Sequence, residues 1–221
     1  MSRYAMSAEE TALRQQLVHY GRSLFQRGYS SGGSGNISVK LPDGGFLVTP
    51  TNSCLGELEI DSLSRLDASG EHIGGDRPSK EVPMHMAFYQ RRPACGAVVH
   101  LHSPWLTALA CLPCETPENC LPPLTPYYVM RIGKLPLLPY FRPGHQDIAV
   151  ALYESAGQHT AALLANHGPV VCGGTLREAV FNIEELEDSA RIWLTLKPLG
   201  HVPLSDAAIA ELEQVYRAKM G

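Results

Sequence analysis

Apolar residues recur with two periods along this chain, and the switches between them mark out its elements. Leu13, Leu17, Tyr20 and Leu24 lie three or four apart, which is one face of a helix. Ser7 and Glu10 form a capping box before it, and Gly28 ends it near residue 27. Gly45 to Thr49 predicts a strand, and the polar stretch 56–77 predicts short strands and surface loops anchored by Leu58, Ile60, Leu63 and Leu66. Pro78 to Tyr89 predicts a helix with Ser79 as its N-cap. Pro83 is tolerated there because first-turn amides have no intrahelical partner. That helix stops before Pro93, and Ala97 to His102 then predicts a strand.

The second half alternates in the same way. Ser103 to Leu112 predicts a short apolar helix, and residues 113–126, with five prolines, an irregular loop. Short pieces follow around Gly133, then a helix over Ile148 to Ala156. Ala161 to Val171 predicts a strand, a sharp turn at Asn166-His167-Gly168 and a second strand. Thr175 with Glu178 opens a long helix to about Lys197, whose stripe includes Val180, Ile183, Leu186 and Ala190. Glu184, Glu185, Glu187 and Asp188 are predicted to form its solvent face. Ser205 caps a last short helix through Tyr216. No repeat divides the chain, so a single domain over 1–221 is expected, with 199–221 as a helical tail.

Composition narrows the functional classes. The 221 residues carry 18 Lys plus Arg against 22 Asp plus Glu, which leaves no basic footprint for nucleic acid or an anionic membrane. Met1 to Glu10 lacks a signal-peptide core and no segment is long and apolar enough to span a bilayer, so a cytoplasmic protein is expected. The six cysteines show no disulfide framework, and Cys111-Leu112-Pro113-Cys114 has no second pair at zinc-ribbon spacing. Reduced thiols lining a loop are expected.

The candidate chemistry lies in four places. A strand alternates faces, so His100 and His102 point one way while Val99 and Leu101 point the other. Two imidazoles on one face make half of a metal site. His167, at a turn between strands, is the best candidate for a third ligand. Tyr29 to Ser38, rich in Gly and Ser, is either a flexible turn or an anion cradle, and taken alone the turn is favoured; it lacks the P-loop spacing and lysine. Pro50-Thr51-Asn52-Ser53 clusters donors at a strand end, and the helix opening at Ser79 offers free N–H groups to an anion. Glu81, in that first turn, is by itself a common dipole-compensating carboxylate, with His85 packed beside it.

Taken together, Gly-Ser-Gly-Asn-Ile-Ser at 33–38, Thr-Pro-Thr at 49–51, Pro-Ser-Lys-Glu at 78–81, His-Leu-His at 100–102 and Ala-Asn-His-Gly-Pro at 165–169 resemble the class II aldolase/adducin family over about residues 10 to 198. The resemblance implies a three-layer α/β/α fold with a central, largely antiparallel sheet, assembled as a homotetramer with active sites near subunit interfaces. It implies His100, His102 and His167 as ligands of a zinc ion, with manganese or cobalt as substitutes, and Glu81 as the catalytic acid/base. Gly35, Asn36, Thr51, Asn52, Ser79 and Lys80 match the phosphate site, and Tyr127, or its neighbour Tyr128, a tyrosine lent by an adjacent subunit. Asn52 stands where the aldolases usually have Gly, and Lys80 where they commonly have a second Ser.

Ser-Lys-Glu, Leu-Pro-Tyr-Phe-Arg-Pro-Gly and Leu-Leu-Ala-Asn-His-Gly-Pro-Val-Val-Cys-Gly look most like the family's 3-oxo-tetronate 4-phosphate decarboxylase branch. The activity implied is metal-dependent release of CO2 from a phosphorylated sugar acid to give dihydroxyacetone phosphate. The alternative is a fuculose-phosphate-type aldolase releasing the same product and an aldehyde. Glu81 is expected to have its pKa raised by burial, offset by the charge of the metal.

Overall fold

The computed structural model describes residues 6–220; the expectations for Met1 to Ala5 and Gly221 lie outside them. Helix α1 (Ala8–Gln26) begins where the capping box predicts, with the Glu10 amide donating to Ser7 Oγ. Eight strands follow: β1 (Asn36–Lys40), β2 (Phe46–Val48), β3 (Ser64–Leu66), β4 (His72–Gly74), β5 (Ala97–His100), β6 (Leu137–Leu138), β7 (Ala161–Leu164) and β8 (Gly168–Gly173). They form one sheet in the order β4-β3-β2-β1-β5-β8-β7-β6, antiparallel except for the parallel β6–β7 pair.

Alternation along the central strands divides the core into two layers. Ile37, Val39, Ala97, Val99, Leu101 and Val171 join α1, α3 (Pro104–Ala110), α4 (Pro126–Arg131) and α6 (Leu176–Leu196) on one face. Val98, Val170 and Cys172 join α2 (Val82–Arg91) and α5 (Gln146–Ala156) on the other. The expected three-layer arrangement around a largely antiparallel sheet is therefore what the chain adopts. Helix α7 (Asp206–Met220), longer than its apolar positions suggest, lies against α4. No helix among the described residues is long and apolar enough to cross a membrane. All six cysteines are free thiols.

Two local expectations are corrected. The N-cap expected at Ser79 falls two residues later, at Glu81. Ser79 instead uses its Oγ to accept from the Glu81 amide, in a turn that leads into the helix. Glu187, expected on the wet face of α6, is buried. Its carboxylate accepts from Ser103 Oγ and from the amides of Trp105 and Leu106, so it neutralises the open N-terminus of α3, which has no cap of its own.

Candidate metal centre and phosphate cavity

Register brings the histidines together. β5 pairs with β1 so that His100 faces Asn36, and with β8 so that His100 faces Val170. His167 lies three residues before Val170, in the tight turn that feeds β8, where Asn166 takes a left-handed φ of 53°. A Cβ on Gly168 would come within 2.4 Å of the Leu101 carbonyl. Only glycine lets the His167 turn close onto the His100–His102 segment. The three rings stand 4.8–5.0 Å apart, centroid to centroid, each roughly edge-on to the next.

Their donor atoms converge. One ligand nitrogen from each ring lies within 4.8 Å of the others, and among the described residues this is the one such group of metal-ligating side chains. His100 Nδ1 lies 2.8 Å from the Pro169 carbonyl. A carbonyl can only accept, so Nδ1 carries the proton and Nε2 presents its lone pair. His102 Nε2 is 3.2 Å from that atom, close to the ~3.3 Å nitrogen separation of a tetrahedral zinc site. Both nitrogens of His167 are buried without a hydrogen-bond partner. Burial lowers the pKa of His100 to about 3 and also lowers His102 and His167, with the Lys80 ammonium adding to the fall at His167. Three neutral imidazoles aimed at one point, one of them with no hydrogen-bond partner, fit a divalent cation.

Glu81 faces this cluster. Its Oε2 is 3.6 Å from His100 Nε2 and its Oε1 is 3.5 Å from His167 Nε2, while Asn36 Nδ2 donates to Oε2 at 2.7 Å. Burial presses the carboxyl pKa upward, but His100, the Asn36 amide, His167 and His85 outweigh it and the net direction is down. The expected rise is thus corrected: the Asn36 amide donates to this carboxyl, and together with the neighbouring imidazoles it favours the charged form.

The predicted anion-binding residues separate into two groups. Thr51, Asn52, Ser79 and Lys80 line a cavity of about 490 Å³ together with Arg77, Pro78 and Pro83. The Thr51 amide donates to the Arg77 carbonyl and Pro50 bridges to Pro78, which ties the two segments together. Asn52 adopts a φ of 56°, a conformation that asparagine tolerates better than most residues in place of glycine. Gly35 and Asn36 do not line this cavity and sit instead against the histidine segment. A Cβ on Gly35 would meet the His100 carbonyl at 3.0 Å, and the Asn36 side chain sits between Glu81 and His85.

Tyr128 is buried and its hydroxyl donates to Asn119. Tyr127, beside it on α4, is 59% exposed. Helix α4 packs in the layer on the far side of the sheet from α2. Sequence reasoning missed Arg77, and it treated His85 as mere packing beside Glu81. The only available signal was the spacing of Glu81, His85 and Tyr89 along α2, matched by the alternation of Asn36 and Ser38 along β1.

The chain is similar to known proteins along most of its length. The family model described as "Class II Aldolase and Adducin N-terminal domain" matches residues 15–194. A 3-oxo-tetronate 4-phosphate decarboxylase of Escherichia coli K12 is 51% identical over 92% of this chain and 96% of its own. An L-fuculose phosphate aldolase of the same strain is 32% identical over 95% of this chain and 96% of its own. The crystal structure of YgbL from Klebsiella pneumoniae, described as an aldolase, epimerase or decarboxylase, superposes with a TM-score of 0.90 at 52% identity, covering 93% of this chain and all of that one.

Proposed function

The chain belongs to the class II aldolase and adducin family, and from that premise we propose that it decarboxylates a 3-oxo-tetronate 4-phosphate to dihydroxyacetone phosphate and CO2. The observation that carries this reading is the Glu81 carboxylate 3.5–3.6 Å from two of three convergent imidazoles, with a cation-lined cavity beside it. The larger identity to the decarboxylase than to the aldolase, and Lys80 in place of a second serine, favour it over aldol cleavage.

His100, His102 and His167 would hold one divalent cation, zinc or else manganese or cobalt, which when bound supplies Lewis acidity to the substrate ketone. Thr51, Asn52, Ser79, Lys80 and Arg77 bind the phosphate, with two cations for a dianion. Gly35 lets the β1 segment approach β5 closely, and Asn36 orients Glu81. Breaking the C1–C2 bond releases CO2 and leaves its electron pair on C2, shared with the C3 carbonyl. Glu81, charged at rest, takes the C2 hydroxyl proton and returns it to carbon at C2, and water restores the product hydroxyl. Helix α4, which carries the exposed Tyr127, packs in the layer opposite α2, which supports a role for Tyr127 in a neighbouring protomer's site, within a homotetramer of single-domain chains with 199–221 as an appended tail. Free thiols and a phosphorylated substrate suit the cytoplasm.

The test is CO2 release from 3-oxo-tetronate 4-phosphate with and without a chelator. Chelator-sensitive release is the expected result. No release, with rapid ketose-phosphate formation from dihydroxyacetone phosphate and an aldehyde, would make the enzyme an aldolase.

A further inference from the structure

Behind Glu81 and the Asn36 amide that orients it runs a chain of buried polar groups, His85, Ser38 and Tyr89, that the reaction as described does not use. Asn36 Oδ1 lies 2.5 Å from His85 Nε2, His85 Nδ1 lies 2.7 Å from Ser38 Oγ, and Ser38 Oγ lies 2.7 Å from the Tyr89 hydroxyl. Asn36, Ser38, His85 and Tyr89 are all at least nine-tenths buried. They come from one face of β1 and one face of α2, and they are enclosed between sheet and helix.

The direction of every bond in this chain follows from the carboxylate. Charged Glu81 accepts only, so Asn36 must turn its NH2 toward Oε2 and its Oδ1 away. An amide oxygen also only accepts, so His85 must carry its proton on Nε2. Nδ1 is then a lone pair, Ser38 donates to it, and the Tyr89 hydroxyl donates to Ser38 in turn. Burial lowers the His85 pKa to about 4, in keeping with the neutral ring that this pattern requires. Phe46 packs against the Tyr89 ring at the far end of the chain, 4.6 Å between centroids.

We propose that His85 is a positioning residue for Glu81, acting through the Asn36 amide, and that this leaves Oε1 as the oxygen that handles the proton. Asn36 occupies Oε2, so Oε1, turned toward His167, is the atom free to exchange a proton with substrate. Without the His85 Nε2–H, the Asn36 Oδ1 has a buried lone pair and no donor, and the amide is free to turn its oxygen toward the carboxylate. Glu81 then loses both its angle and its preference between its two oxygens. The inference rests on the reading of Glu81 as the proton carrier.

A pair of isosteric substitutions separates positioning from the mere filling of a polar space. His85→Gln carries an NH2 to the place of Nε2 and can still donate to Asn36. His85→Asn is one carbon shorter, reaching only the place of Nδ1 and Ser38. Turnover and solvent-deuterium exchange at the hydroxymethyl carbon of dihydroxyacetone phosphate are measured in both, with metal content and KM. His85→Gln is expected to keep kcat within about threefold, and His85→Asn to lower kcat and exchange by about tenfold or more, with KM and metal content near wild type. Ser38→Ala, which leaves His85 in place but removes the donor that selects its tautomer, is expected to lower kcat about threefold at unchanged KM. Equal kcat in the Gln and Asn variants, a change confined to KM, or an unaltered Ser38→Ala enzyme would overturn the proposal. Glu81→Gln is the control: normal turnover there would reject the role of Glu81 itself, a separate failure.

Discussion

Ser103 Oγ donates to the Glu187 carboxylate across 2.6 Å, although 84 residues separate them. Ser103 directly follows His102, so this bond and the two amides that share the carboxylate fasten the metal-site segment to α6. Removing the carboxylate strands the buried Ser103 hydroxyl, the buried Leu106 amide and the half-buried Trp105 amide. Glu187→Ala is expected to cost about 3 kcal/mol of stability in denaturant unfolding. A variant as stable as wild type would show that water replaces the carboxylate without loss.

The histidines differ in how the protein holds them. His100 is tied to Pro169, whereas neither nitrogen of His167 has a hydrogen-bond partner. His167→Ala should therefore abolish stoichiometric metal binding while the metal-free protein stays within about 1 kcal/mol of metal-free wild type. Metal analysis and parallel melting curves test both halves. Retained stoichiometric metal would remove His167 from the ligand set.

Arg77 is exposed and lines the cavity with Lys80. A charge-assisted contact to phosphate there contributes on the order of 1.5 kcal/mol, so Arg77→Ala should raise KM about tenfold with little change in kcat. The difference should shrink at high salt, because the site is open to counterions. An unchanged KM at low salt would place the phosphate elsewhere.

His85 also makes acid stability predictable. Its pKa falls from 6.5 to about 4 because it is wholly enclosed. Between those values the unfolded chain binds a proton that the native chain does not, so stability falls as pH drops through this window. The slope from this one ring is about 1.4 kcal/mol per pH unit, and it flattens below the native value. His85→Gln should lose that increment between pH 6.5 and 4 while matching wild type more closely above pH 7. Parallel acid-denaturation slopes for the two proteins would show that His85 is already protonated in the native state.

Some of the site was open to direct reading. The strand expected to reach His102 ends at His100, but its two-residue alternation carries on far enough to leave Val99 and Leu101 in one core layer and the rings of His100 and His102 together. The capping boxes at Ser7 and Thr175 locate their helices because the bonds involved span three residues. Such features need only local geometry. Glu187 was misplaced because an i, i+3, i+4 pattern reports a side chain's angle around its own helix and not what lies opposite. The N-terminus of α3 lies opposite, and it turns a nominally wet position into a buried acceptor. Glu81 was assigned to the first turn of α2 for a related reason: proline marks where a helix can begin, while its true start depends on where Ser79 spends its hydroxyl.

By itself the sequence determined the elements, the two-histidine face, the motif set of the family and the residues available for chemistry, because each depends on neighbours a few positions away. Only the tertiary structure decided that His167 joins His100 and His102, that Asn36 serves Glu81 rather than the rim of the cavity, that Tyr128 is core, and that Arg77 shares the cavity with Lys80. Those outcomes depend on strand register and on helix-to-sheet packing. A shift of one residue in the pairing of β1 with β5 would turn Asn36 and Ser38 to the other face of the sheet and take Ile37 and Val39 out of the layer they pack in, so it is the core on either face that holds the register.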